Sequence, residues 1–149
     1  MKHVRLSATL LLIAALIPTL LPVRPALADA SAVPAVNRMR ESRGLAPLSY
    51  SRTLEAVARR HARDMSSNGF FSHTGSDGSN VAARSRAQGY RYCFVAENIA
   101  KGQKTLGAAL QSWWDSRPHR RNIMTSRVRE FAVVGTGDVW VMVLADPGC

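Results

Sequence analysis

The chain has 149 residues, 20 of them Lys or Arg against 10 Asp or Glu, for a net charge of +10. That length supports one domain with a core of its own and excludes a second. The basic balance favours polyanionic neighbours, whether nucleic acid, anionic lipid or acidic envelope polymer, without choosing between them.

Residues 1–28 open on Lys2, His3 and Arg5, continue through an apolar run broken by Pro18, and close on "ALADA", where Ala26 and Ala28 offer the small side chains a signal peptidase requires. They predict a cleaved secretion signal and an exported protein, periplasmic or extracellular, whose single domain is residues 29–149. The apolar run is too short to span a bilayer comfortably, so no transmembrane segment is expected after cleavage. Cleavage removes three basic residues and no acid, leaving 17 basic and 10 acidic residues in the mature chain. In an exported protein, envelope polymers replace specific nucleic acid as the expected anionic partner. The two cysteines, Cys93 and Cys149, read most economically as one disulfide under oxidising conditions; two free or intermolecular thiols are the alternative.

"VPAVNRMRESRG" predicts a short helix that starts near Pro34, buries Val33, Val36 and Met39, and stops at Gly44. "LAPLSY" reads as a connector, with Ser51 placed to cap the next helix. There Leu54, Val57, Ala58, His61, Ala62 and Met65 keep helical spacing as far as Asn68 and Gly69. "TGSDGSN" is a turn into a helix that runs to Gly89, and "YRYCFVAENIA" is a strand giving way to a loop around Glu97 and Asn98. A helix from Thr105 to Asp115 buries Leu106, Ala109, Leu110 and Trp113, leaving Trp114 freer. Beyond the basic segment "SRPHRRNIMTSR", "EFAVVG" and "DVWVMVLA" flank "TGD" as a hairpin. Helices and strands are segregated, so the expected class is α+β with a mainly antiparallel sheet.

The chain lacks a GxSxG elbow, HExxH, CxxC and a glycine-rich phosphate loop, which removes several enzyme classes. What remains is dispersed: His73 in a loop, Glu97 at a strand end, and His119 beyond a helix. Two imidazoles and a carboxylate can hold zinc with an open position or share proton transfer, provided the fold gathers them across spacings of 24 and 22 residues. Each also has a plainer use: His73 as a turn donor, Glu97 as a partner of loop amides, His119 as part of a solvated basic face. His61 reads as a hydrogen-bonded core histidine. Ser72 and His73 are adjacent in extended chain and point apart, so they form no dyad.

"VNRMRESRGLAPLSY", "LEAVARRHARDM", "GFFSHTGSDG", "AENIAKG" and "SWWDSRPHRRNIM" resemble, in order and spacing, the bacterial branch of the CAP superfamily, which is named for cysteine-rich secretory proteins, antigen five and plant pathogenesis-related proteins. The resemblance runs from about Ala35 to Ala145. It implies a three-layer α-β-α sandwich and a central cavity lined by two histidines and two glutamates, in places with zinc or another divalent ion. His73, Glu97 and His119 match three of these four, as cavity residues and candidate metal ligands. The second glutamate position falls on Ser116, and Asp115 lies about 100° away on the helix. Members of the superfamily differ in role, so the fold sets no activity. The expectation is a monomeric secreted module that binds a small apolar or envelope-derived ligand. The alternatives are a metal-dependent hydrolase using His73, Glu97 and His119, and a basic surface protein that meets anionic polymers through Arg117, Arg120, Arg121, Arg127 and Arg129.

Overall fold

The computed structural model describes residues 27–28 and 30–148. The predicted secretion signal therefore lies outside the described residues except for its last two, and so does Cys149, one half of the expected disulfide. In chain order the elements are β1 (Leu27–Ala28), α1 (Ala32–Glu41), β2 (Ser49–Tyr50), α2 (Arg52–Asn68), α3 (Val81–Ala87), β3 (Tyr92–Lys101), α4 (Leu106–Asp115), α5 (Arg117–Met124), β4 (Glu130–Thr136) and β5 (Val139–Pro147). The sheet runs β1-β4-β5-β3, antiparallel throughout, with the short β2 added parallel to β4. Cleavage after Ala28 would remove β1 and leave the other strands.

Strand alternation divides the interior in two. Val134, Val141, Val143 and Ile99 face α2, where Leu54, Val57, Ala58, Ala62 and Met65 form the helix's apolar stripe. Phe131, Val133, Met142 and Leu144 face the other way, onto Ala32 and Val36 of α1, Leu110 and Trp113 of α4, and Ile123 of α5. Helices thus cover both faces of a mainly antiparallel sheet, the expected three-layer sandwich. At the β4–β5 turn, Gly135 pairs with Trp140, and a Cβ there would come within 2.8 Å of the indole. Only glycine lets that ring lie flat across the neighbouring strand.

Four local expectations change. "LAPLSY" is more than a connector, because Ser49 and Ser51 donate their N–H groups to Arg129 and Phe131 and so build β2. Ser51 starts α2, but its side chain makes no capping bond. The strand β3 does not give way at Glu97 and Asn98: both stay paired, opposite Val143 and Met142, because each polar side chain finds partners in the adjoining layers. The basic segment after α4 is itself a helix, α5, with Pro118 in its first turn, where a missing N–H costs nothing. Its charges concealed a pattern with one buried apolar residue, Ile123.

Candidate functional site

The site begins with the parity of β3. Glu97 shares a face with Val95 and Ile99, towards α2, and its carboxylate is buried, with 2% of the side chain exposed. The loop that brings His73 to it is built from the end of α2 onward. Gly69 takes a left-handed conformation, φ 68°, and stops the helix. Asp64 then reaches out of α2 to accept from the backbone N–H of Ser76 at 2.9 Å and its hydroxyl at 2.6 Å. Burial opposes the charge on Asp64, but these hydrogen bonds outweigh it and hold its pKa below the usual value. A Cβ on Gly75 would sit 2.9 Å from Asp77 and 3.1 Å from Asp64, so this knot of polar side chains requires glycine there.

That anchoring presents His73 with its Nδ1 2.8 Å from Glu97 Oε1, while 57% of its side chain remains exposed. The other carboxylate oxygen accepts from Arg84 of α3 at 2.7 Å, and Arg84 is as buried as Glu97. Arg84 also donates to the carbonyls of Ser79 at 2.6 Å and His73 at 3.2 Å, so one guanidinium ties the turn, the histidine loop and the strand together. Beneath them lies His61 of α2, fully buried, with Nε2 2.8 Å from the Ser72 carbonyl and 3.8 Å from Glu97. A carbonyl only accepts, so Nε2 carries the proton and Nδ1 is left as an acceptor. Burial pushes the His61 pKa down, against the pull of Glu97. His61 Nδ1 and Arg84 Nε are both buried without a hydrogen-bond partner among the described residues, and both residues line a cleft of about 370 Å³ with Arg60, Asp64 and Asp77.

His119 arrives from the opposite layer. Asn98, on the other face of β3 from Glu97, donates to the His119 carbonyl at 3.1 Å and accepts from Asn122 at 2.8 Å, which fixes α5 against the strand. The His119 imidazole is half-buried, and its pKa is lowered first by burial and then by His73, whose charge lies near enough to oppose its protonation. As the outer strand on its side of the sheet, β3 lets groups from both helical layers meet around it.

The fold family implies a divalent ion here, and the donor atoms test the fit. Both Glu97 oxygens are already engaged, one with His73 and the other with a cationic guanidinium that would repel a metal. Among the described residues no group of three His, Cys, Asp or Glu side chains is placed to hold an ion. The ligand set His73, Glu97 and His119 therefore does not fit as three donors. Glu97 fits instead as the carboxylate that orients a histidine, leaving His73 Nε2 and the His119 ring as outward-facing groups. No second carboxylate joins them: Ser116 is the junction between α4 and α5, and the exposed Asp115 accepts from Gln111. Arg84 takes the counter-charge role. Its signal was an arginine three residues from Val81 and next to Ser85, on the side of α3 that the core needs apolar. Among the aromatics, Trp113 is core, bonded to the Ile99 carbonyl, and Phe71 is the one large hydrophobic exposed among the described residues.

The same architecture occurs in solved proteins. An extracellular protein containing an SCP domain from Bacillus anthracis superposes with a TM-score of 0.76 at 24% identity, over 78% of this chain and 39% of that one. An outer surface protein of Borrelia burgdorferi gives 0.72 at 18% identity, over 83% and 98%. A cysteine-rich secretory protein from Staphylococcus aureus gives 0.67 at 21%, over 78% and 37%. At these identities the likeness is one of fold. Among curated relatives, the uncharacterized protein YkwD of Bacillus subtilis is 33% identical over 106 residues, 70% of this chain and 41% of its own length. The uncharacterized membrane protein YlbC of the same organism is 29% identical over 101 residues, 68% of this chain and 28% of its own. The chain thus spans less than half of either curated relative. The family model for the cysteine-rich secretory proteins matches residues 33–138, which hold α1 but for its first residue, β2, α2 to α5, β3, β4 and each of the site residues just described, and the chain belongs to that family.

Proposed function

We propose that this chain is an exported binding domain in which His73, held by Glu97 and accompanied by His119, anchors a small apolar or envelope-derived ligand. The observation that carries this reading is the tether: a half-exposed imidazole whose Nδ1 is fastened at 2.8 Å to a buried carboxylate that Arg84 already neutralises. Such a ring keeps one fixed orientation and offers Nε2 outward. Phe71, two residues away and 46% exposed, supplies apolar surface for the same ligand. Binding is favoured over hydrolysis because buried Glu97 is already engaged by His73 and Arg84, and Ser72 Oγ, which accepts from the Thr74 N–H at 3.0 Å, makes no hydrogen bond to the His73 ring among the described residues. Export agrees with the presence of an extracellular protein and an outer surface protein among the structural neighbours.

Lipid extraction on the mature protein tests the anchor, with zinc titration as the control for a metal site. A His73→Ala, His119→Ala double variant is expected to lose most extraction of a fluorescent apolar probe, with its melting temperature little changed, and zinc should bind wild type and variant no differently. Equal uptake of the probe by variant and wild type would sink the reading. The bridge from Cys93 to Cys149 belongs to the same export proposal. A bulge sets Cys93 opposite the chain's end, with Sγ 3.9 Å from the Pro147 carbonyl. Mass spectrometry after alkylation should find both cysteines protected until reduction.

A further inference from the structure

The five arginines expected to form one basic face do not act as one. Arg127 lies over the Phe94 ring at 4.0 Å, and Arg129 pairs with Asp146 at 3.3 Å. Arg117, Arg120 and Arg121 of α5 instead gather with Arg43, from the turn after α1, around a concavity of about 370 Å³ whose remaining wall is Met124. No carboxylate lines it. Arg120 is positioned by the Trp114 carbonyl and ring, whereas the side chains of Arg43, Arg117 and Arg121 have no hydrogen-bond or ion-pair partner among the described residues.

Four arginines around one hollow repel each other at low salt, and an entering anion offsets that cost. Arginine offers planar pairs of N–H donors that match the oxygens of a phosphate, and charge-assisted bonds of this kind are about twice as strong as neutral ones. The volume is at the small end for ligand sites, which run from about 300 Å³ upward. We propose that this hollow binds a phosphate group carried by a small molecule or an extracellular polymer. A bilayer is the less suitable source. Membrane-surface sites set several large exposed apolar side chains beside the cations; here the half-buried Met124 alone lines the hollow, and Phe71, the one large exposed hydrophobic among the described residues, belongs to the His73 loop. The site shares no residue with the His73 anchor, so either proposal can fail alone.

The test compares two double variants that remove the same charge: Arg117→Ala with Arg121→Ala, and Arg127→Ala with Arg129→Ala. Inorganic phosphate and pyrophosphate are titrated into each mature protein at low salt and followed by calorimetry and by the arginine side-chain NMR signals. Wild type should saturate, the first variant should bind at least tenfold more weakly, and the second should stay within threefold of wild type. Salt should weaken binding in wild type. Equal losses in both variants would mean that net charge alone attracts the anion, and the proposal would fall. It would also fall if wild type showed no saturable phosphate binding but sedimented with phosphatidylglycerol vesicles, since the surface would then be a membrane contact.

Discussion

Among the described residues two arginines are buried, one on each side of the sheet, and they are satisfied in different ways. Arg84, between α3 and β3, meets a carboxylate and two carbonyls. Arg40, in α1, has carbonyls alone: Nε donates to Ala46 at 2.8 Å, and Nη1 donates to Ile123 at 2.7 Å and Thr125 at 2.9 Å. Two of those carbonyls belong to the end of α5, the negative pole of the helix dipole, so Arg40 acts there as a charged cap. Burial lowers its pKa, yet an arginine stays charged throughout the ordinary range. A buried cation can therefore be held by a counter-ion or by oriented dipoles. Only the first arrangement leaves a second charge exposed to harm when the cation is removed.

Arg84 is the more sensitive of the two positions. Arg84→Met would leave Glu97 buried with no compensating charge, and removing one member of such a pair costs about 3–5 kcal/mol. Urea unfolding should show a loss of that order, and adding Glu97→Gln should recover a large part of it. A double variant no more stable than Arg84→Met would mean the pair is not coupled. The His73 loop should loosen in both, because the Arg84 bond to its carbonyl is absent from each.

Arg40→Met removes three hydrogen bonds but strands no charge, so the expected loss is smaller, about 2 kcal/mol. No second substitution should rescue it. Arg40→Lys should recover little, since an ammonium carries charge without the fork that reaches three carbonyls. Rescue by lysine would show that charge at the end of α5, and not the fork, is what matters.

Both arginines mark where sequence reasoning meets its limit. The apolar stripe of α2, the β4–β5 hairpin and the stop at Gly69 are local patterns, and each forms where its periodicity places it. On α1 the stripe was read through Val33, Val36 and Met39, whereas the buried positions are Ala32, Val36 and Arg40. A charged residue at a core position breaks the hydrophobic rhythm, and the carbonyls that satisfy it come from 83 and 85 residues away. The same holds at Glu97, where polar residues suggested a loop and distant partners keep a strand. At the candidate site, the contact of His73 with Glu97 followed from motifs, while Arg84 and the buried His61 beside Glu97 required the packing of α3 on α2.

The finest difference between the two sides is how they answer to pH. His61 lies beside Arg84 and Glu97, and its lowered pKa arises first from burial, then is raised by Glu97 and lowered by Arg84. Among the described residues no titratable side chain is hydrogen-bonded to Arg40. A histidine whose folded pKa is depressed is neutral in the native state, so the unfolded chain takes up its proton first as pH falls. The stability tied to His61 is complete above the unfolded value of about 6.5 and is lost below it, down to the folded pKa, by at most about 1.4 kcal/mol per pH unit. His119 has the same sign, also from burial first and His73 second. Wild type should therefore melt at falling temperatures below about pH 6.5, and His61→Gln should flatten part of that slope. Arg84→Met removes one of the influences that lowers the His61 pKa, so its NMR titration midpoint should move up, while in Arg40→Met it should stay where it is in wild type. If the two variants shift that midpoint equally, charge is felt across the sheet, and the two faces are not the separate electrostatic environments that their buried arginines indicate.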